Sequence, residues 1–408
     1  MRSLVPLLAS IVLLAFACQN DNASTENATI QMDSSVTFQT WLGWGGRSAT
    51  DVPNPAKTQI LDAAVNDLGL TLTGVPARFK AGKENPGMIG WDSVETMKLA
   101  SQWAAPLKQR VSSDFIFTVR AIGEPADRNE IVRVLNALKT LGLVPDVWIV
   151  ENEPDIGTRL PVGELADSMA MTCSVFRQQG IPTVVSGPTM STVAGTLSYA
   201  QVLRNDSRLT GCLGEWTFHQ YGTTTRAQLQ ALAALGEETG LPIKMDEHHG
   251  APVSELMDDI EFANLAAWQR DGFAGNGCQS CYSLYSTPNG VQWFLAGNTG
   301  FYRQFTRAIR PGMVRWKATS SNGAVRAVAF GGGSKAAVVV QSSGGGAITM
   351  GGLPAGTYEV SYTLGNGRWT GAGTASPQSV TRPSVTITGG QDLQTSLPAA
   401  GVLTVRRL

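Results

Sequence analysis

Charge is scarce in this 408-residue chain: Asp, Glu, Lys and Arg make up 15%, the formal net charge is -1, and no run of one sign occurs. Nucleic acids and polyanionic surfaces are recognised through a basic field, so the composition excludes that class of partner and favours a neutral one. Histidine is scarcer still, with only three residues, His219, His248 and His249, and no His-Glu-x-x-His stretch. The helical zinc-hydrolase pattern is therefore absent. No Gly-x-Gly-x-x-Gly follows a strand-like segment, which argues against a dinucleotide-binding sheet, and no cofactor is expected. Apolar runs are short as well: the longest near the start, Leu4 to Phe16, cannot cross a bilayer.

That run follows Arg2 and ends in Ala15-Phe16-Ala17, so residues 1–17 read as a signal peptide. Export to a bacterial periplasm or cell surface is the expectation. Cys18 follows at once, in a setting that resembles the lipobox of bacterial lipoproteins; a lipid anchor there is expected, with cleavage before an unmodified Cys18 as the alternative. Residues 18–27 then form a polar tether with nothing to bury. Five cysteines is an odd number, and assigning Cys18 to lipid leaves 5 − 1 = 4 that can pair. Cys278 and Cys281 form a Cys-x-x-Cys in a Gly-rich loop, and Cys173 and Cys212 make the other pair; structural disulfides fit better than zinc, which needs more ligands close by.

From Trp41 onward, strand-like and helical segments alternate. Strands are predicted at Thr40 to Gly46, Leu70 to Phe79, Phe115 to Arg120, Val147 to Glu153, Pro182 to Gly187, Leu213 to Tyr221, Leu241 to Glu247 and Ser280 to Tyr285. Between them lie helical periods, among them Pro53 to Asn66, a long helix capped by Asp92, Val162 to Gln179, Glu255 to Arg270 and Thr299 to Ile309. Eight such units predict an α/β (β/α)8 barrel over residues 36–309, with its active site at the C-terminal ends of the strands. After Arg310-Pro311-Gly312 the texture becomes β-alternation with Gly-rich turns, which predicts a C-terminal β-sandwich over 310–408, joined by a strand at 28–35.

Two acidic residues end the fourth and seventh predicted strands. Glu153 sits in Val147-Trp148-Ile149-Val150-Glu151-Asn152-Glu153-Pro154, where proline stops strand pairing and leaves the carboxyl displayed. Glu247 lies in Lys244-Met245-Asp246-Glu247-His248-His249. In an eight-stranded barrel these ends face each other across the mouth, the arrangement that glycosidic bond hydrolysis requires of two carboxyls. Asn152 is placed to bind a sugar hydroxyl. Arg78, ending the second strand, is a cation that would keep Glu247 ionised. His219 and Tyr221 alternate onto one face. Trp44 and Trp293 are candidates for stacking on a sugar ring, and Tyr285, ending the eighth predicted strand, is a further substrate-binding candidate. A metal site built from the histidines with Asp246 or Glu247 is disfavoured, because neighbours on a strand point to opposite faces.

These residues resemble the retaining glycoside hydrolases of clan A, most closely glycoside hydrolase family 30 and its relatives. The resemblance is carried by Asn152-Glu153-Pro154, by Leu42-Gly43-Trp44-Gly45-Gly46, and by Phe305 to Arg315, similar to that family's junction between last helix and sandwich. It implies Glu153 as acid/base, Glu247 as nucleophile, His219 and Tyr221 as the pair beside the nucleophile, and an oligo- or polysaccharide substrate. The alternatives are a non-catalytic glycan-binding surface lipoprotein on the same fold and, below it, a metal-dependent hydrolase.

Overall fold

The structure, a computed structural model, describes residues 25–47, 54–79, 90–123, 125–156, 159–276, 282–368, 371 and 374–408. The expected signal peptide, Cys18, Cys278 and Cys281 lie outside the described residues. Eight parallel strands close a barrel: β2 (Gly43–Gly46), β3 (Leu72–Phe79), β4 (Ile116–Gly123), β5 (Val147–Ile149), β6 (Val184–Met190), β7 (Leu213–His219), β8 (Ile243–Glu247) and β9 (Leu265–Arg270). The chain enters it from β1 (Ala28–Thr40). Helices α1 (Asn54–Asn66), α2 (Ser93–Leu99), α3 (Ala105–Val111), α4 (Arg128–Lys139), α5 (Val162–Gln179), α6 (Val193–Leu203), α7 (Arg226–Thr239) and α8 (Val253–Phe262) connect the strands. Local chemistry sets their ends. Asp127 and Glu130 form a capping box on α4, Thr225 and Gln228 do the same on α7, and Gly180 closes α5 in the left-handed region. Between strands and helices lies one continuous apolar core.

The eighth barrel strand is not where the sequence pattern puts it. Glu255 to Arg270 reads as one helical period, but α8 stops at Phe262, Asn264 turns at φ 49°, and Leu265 to Arg270 runs into the barrel as β9. Every residue of β9 is buried, so it shows no alternation. Asn264, a residue that tolerates the left-handed region, was the available stop signal. The predicted strand at Ser280 to Tyr285 instead supplies the middle of a small sheet of β10 (Gly272–Gly275), β11 (Ser283–Ser286) and β12 (Phe294–Leu295). Helix α9 (Thr299–Thr306) follows.

The remaining strands are β13 (Val314–Ser320), β14 (Val325–Gly332), β15 (Lys335–Ser342), β16 (Gly346–Gly351), β17 (Gly356–Leu364), β18 (Val380–Thr381), β19 (Val385–Ile387), β20 (Leu393–Leu397) and β21 (Gly401–Arg407). With β1 they form a ten-stranded sheet around a second core that includes Ile30, Met32, Val338, Met350 and Leu403. β1 pairs antiparallel with β13 and parallel with β16, so a segment from before the barrel is built into the domain after it. The disulfide Cys173–Cys212 ties α5 to the entry of β7, with Cα atoms 5.9 Å apart.

Candidate active site

The polar groups converge at the C-terminal ends of the barrel strands. After β5, Asn152 and Glu153 turn out of the sheet, and Glu153 adopts φ 50°, an uncommon conformation for a side-chain-bearing residue that concentrates at functional sites. Its N–H donates to the carbonyl of Thr189 at 3.1 Å. Thr189 itself has φ 53° and is skipped in the β6–β7 pairing, so a bulge supplies the acceptor. Glu153 Oε1 accepts from His219 Nδ1 at 2.8 Å, and Asn152 Oδ1 accepts from the Arg120 guanidinium at 2.5 Å.

Glu247 ends β8. Oε1 accepts from the Tyr221 hydroxyl at 2.7 Å, and Oε2 is paired with Arg120 of β4 and with Arg47, the residue after β2. Arg120 also pairs with Asp246, and Arg47 with Asp271 just past β9. His249 Nε2 bonds Asp271 at 2.8 Å and lies 3.6 Å from Glu247 Oε1. Asp246 and Glu247, though adjacent, both reach into this cluster. The reason is a bulge: β7–β8 pairing jumps from Phe218↔Met245 to His219↔Glu247, leaving Asp246 as the extra residue. The simple alternation used to separate these two side chains fails here.

Burial, the largest single influence on Glu247, pushes its carboxyl up. Arg47, His219, Arg120 and the Tyr221 hydroxyl outweigh it and hold the group well below the usual carboxylate range. Asp246 follows the same pattern, burial opposing Arg120 and His219 and losing. Burial also pushes the Tyr221 hydroxyl up, with Glu247 adding to it, so this group stays a donor. For His219 burial acts downward, yet Asp246, Glu247 and the hydrogen bonds to Asp246 and Glu153 raise its pKa from 6.5 to about 9. The protonated ring faces Glu153 from one nitrogen and, from the other, Asp246 at 3.2 Å and Glu247 at 3.7 Å.

A pH dependence follows. A histidine whose native pKa is raised contributes stability that is fully present below pH 6.5 and lost as pH rises through about 9. Urea midpoints measured from pH 6 to pH 10 are expected to fall across that window in the wild type, and His219→Gln is expected to flatten the fall. A slope that persists in the variant would assign the effect to another group.

The charge arrangement does not suit a divalent metal. Oxygen and nitrogen atoms of Glu153, His219 and Glu247, and of Glu247, His249 and Asp271, each lie within 4.8 Å of one another. Arg47 already bridges Glu247 and Asp271, and Arg120 bridges Glu247 and Asp246, so a dication would meet two guanidiniums and an imidazolium.

The structure brings together Asn152, Glu153, His219, Tyr221 and Glu247. It does not bring Arg78, Trp44 or Tyr285 to them. Arg78 pairs with Glu95 of α2 at 2.7 Å in a half-exposed ion pair, and Arg47 and Arg120 are the cations on Glu247. Trp44 is fully buried, 4.1 Å from Trp41, and donates to the carbonyl of Ile309; it belongs to the core rather than to a sugar. Tyr285 is likewise buried, in β11, and Trp293 packs edge-on against it while donating to Gln59 of α1. Neither aromatic touches the carboxylate cluster. Arg78→Met is therefore expected to change kcat/KM by less than about threefold, since a partly exposed pair contributes about 0–1 kcal/mol. A loss of a hundredfold would return Arg78 to the site.

Arg47, Arg120 and Asp271 were not singled out from the sequence. Arg120 carried a signal: it closes Phe117-Thr118-Val119-Arg120 in a segment read as an inner strand, where a buried guanidinium must have acidic partners.

Fold and cluster together define a class: a (β/α)8 barrel joined to a β-sheet domain, with acidic side chains opposed at the ends of the fourth and seventh barrel strands. Solved structures share this fold. The catalytic domain of glycoside hydrolase family 30 xylanase C from Talaromyces cellulolyticus matches with a TM-score of 0.70 at 17% identity, over 93% of this chain and 100% of that one. A family 30 endoxylanase from Clostridium papyrosolvens gives 0.66 at 19%, over 93% and 99%. A family 51 arabinofuranosidase from Xanthomonas axonopodis pv. citri gives 0.63 at 11%, over 94% and 100%. At these identities the likeness is one of fold. No family model matches the chain, and no curated protein sequence matches it.

Proposed function

We propose that this protein is a retaining β-glycosidase acting on a neutral glycan through a covalent glycosyl-enzyme. The observation that carries the reading is the spacing of the two acids: one carboxylate oxygen of Glu153 lies within 4.8 Å of one of Glu247. Retaining enzymes hold their carboxyls about 5–5.5 Å apart, whereas inverting enzymes open about 6.5–9.5 Å for a water. Glu247, held ionised by Arg47 and Arg120, attacks the anomeric carbon. Glu153, positioned by His219 and Thr189, delivers a proton to the leaving oxygen and later takes one from water. Tyr221 and Arg120 release and regain hydrogen bonds to Glu247 as its charge is lost and restored. Asn152, held by Arg120, faces a sugar hydroxyl. Each role rests on contacts within the cluster.

The two family 30 structures are named as xylanases, so β-linked xylan and xylo-oligosaccharides are the first substrates to assay, with β-glucans beside them. We infer export from residues 1–17 and an N-terminal lipid anchor at Cys18. The test of the activity is the anomeric configuration of the first product, followed by proton NMR within the first minutes of hydrolysis. The β-anomer first supports retention. The α-anomer first, or binding without cleavage across the panel, rejects it, and the second outcome would leave a glycan-binding lipoprotein.

A further inference from the structure

On a chain with a net charge of -1, positive charge gathers in one hollow far from the carboxylate cluster. A cavity of about 410 Å³ is lined by Arg307 and Arg310 after α9, Lys335 at the start of β15, and Arg406 and Arg407 at the end of β21, with Asp67 after α1. Five cations thus converge from three stretches that are distant in sequence. The residues from α1 and α9 stand at helix C-termini, below the strand starts, so the hollow opens on the face of the barrel opposite the active-site mouth.

Nearby acids do not balance this charge. Asp67 is held by Arg303 at 2.5–2.9 Å, and Glu359 is shared between Arg307 and Arg406 at 2.9–3.3 Å. Among the described residues, no carboxylate pairs with Arg310, Lys335 or Arg407. Cations complement a helix C-terminus, and that accounts for Arg307 and Arg310 beside α9, not for three more arriving from the sheet. Arg310 is also seated with care: Gly69 lies at φ 64°, and a Cβ there would collide with the Arg310 guanidinium. Burial pushes both Arg307 and Arg310 below the usual arginine range; Glu359 opposes this at Arg307 and Asp114 at Arg310, and Arg406 adds repulsion to each, so the acids present do not restore either group. A multiply charged oxyanion would relieve that repulsion and match the planar donor forks of arginine.

We propose that this hollow is a binding site for a soluble dianionic oxyanion, phosphate or a phosphate monoester, that braces the barrel against the ten-stranded sheet. Its walls come from both domains, so the anion would cross-link them. A membrane headgroup offers the same chemistry, but β-strand pairing places Lys335 near the Thr40 end of β1. The tether leaves from the other end, about 20 Å away at 3.3 Å per residue, since Thr40 to Ile30 pairs with only Val314 to Ser320.

Thermal unfolding of the whole chain is followed at pH 7.5 in sodium phosphate and in sodium chloride of equal ionic strength. A midpoint that rises with phosphate alone, together with calorimetric binding, is the expected result. Arg310→Gln with Lys335→Gln should weaken phosphate binding about tenfold or more, and the exposed Lys335→Glu alone should weaken it without disturbing the fold. Cosedimentation of the unacylated chain with phosphatidylglycerol vesicles separates the sources: vesicle binding without any effect of free phosphate overturns the soluble ligand. Equal responses to phosphate and chloride, or a phosphate response unchanged in the double variant, overturn the site.

Discussion

Glu247→Gln is expected to lower kcat by about 10⁴-fold or more on every substrate the wild type cleaves, because no glycosyl-enzyme can form without the carboxylate. Glu153→Gln should behave differently, and the difference identifies the roles. With an alkyl or sugar leaving group, loss of the proton donor should cost about 10²–10⁴-fold. With a dinitrophenyl leaving group, which departs without protonation, glycosylation should stay fast and the glycosyl-enzyme should accumulate. The measurement is a stopped-flow burst of phenolate, followed by slow steady turnover that azide accelerates, since azide attacks the intermediate without a base. Both variants keep their side-chain volume, so oligosaccharide affinity by calorimetry should stay near the wild-type value and show that the site is still formed. Equal losses in both variants on both leaving-group classes would contradict the assignment, as would a Glu247→Gln variant within tenfold of wild type.

The parts of this architecture that were legible in the sequence are those written by local chemistry. Asn152-Glu153-Pro154 announces itself because proline ends strand pairing within a few residues, and His219 and Tyr221, two residues apart at and just past the end of β7, both reach the carboxyls. The unread parts depend on register and convergence. Asp246 and Glu247 share one side only because β8 carries an extra residue against β7, and nothing within Lys244 to His249 announces a bulge. Arg47 follows the first barrel strand and Arg120 lies on the third, 200 and 127 residues before Glu247, and only barrel closure brings them to it. Arg78 was favoured by its place at a strand end, yet Glu95 on the following helix holds it. Trp44 was a candidate sugar platform as one of the loop tryptophans, beside Gly43, Gly45 and Gly46. Those glycines instead allow close packing: a Cβ at Gly43 or Gly45 would strike Leu72 of the next strand.

Arg120 is the residue on which site geometry and stability meet, and its substitution carries the second large effect. Its guanidinium, 2% exposed, binds Asn152, Asp246 and Glu247 at once. Arg120→Met would leave two buried carboxyls with one cation fewer, and breaking such a pair from one side costs about 3–5 kcal/mol, which a urea titration at pH 7 would resolve. The sign with pH follows from the depressed carboxyls. Their contribution to stability is present above the ordinary values of 3.8 and 4.5 and is lost as pH falls through the lower native ones. Removing Arg120 raises those native values, so the variant should lose stability at a higher pH than the wild type, and the acid limb of kcat/KM should move the same way. Arg120→Lys separates charge from shape: an ammonium can restore part of the stability, but a point charge cannot hold Asn152, Asp246 and Glu247 in one plane, so kcat should stay low. If Arg120→Met unfolds at the wild-type urea concentration with an unmoved acid limb, Arg47, His219 and Tyr221 keep Glu247 ionised without it and Arg120 is dispensable to the nucleophile.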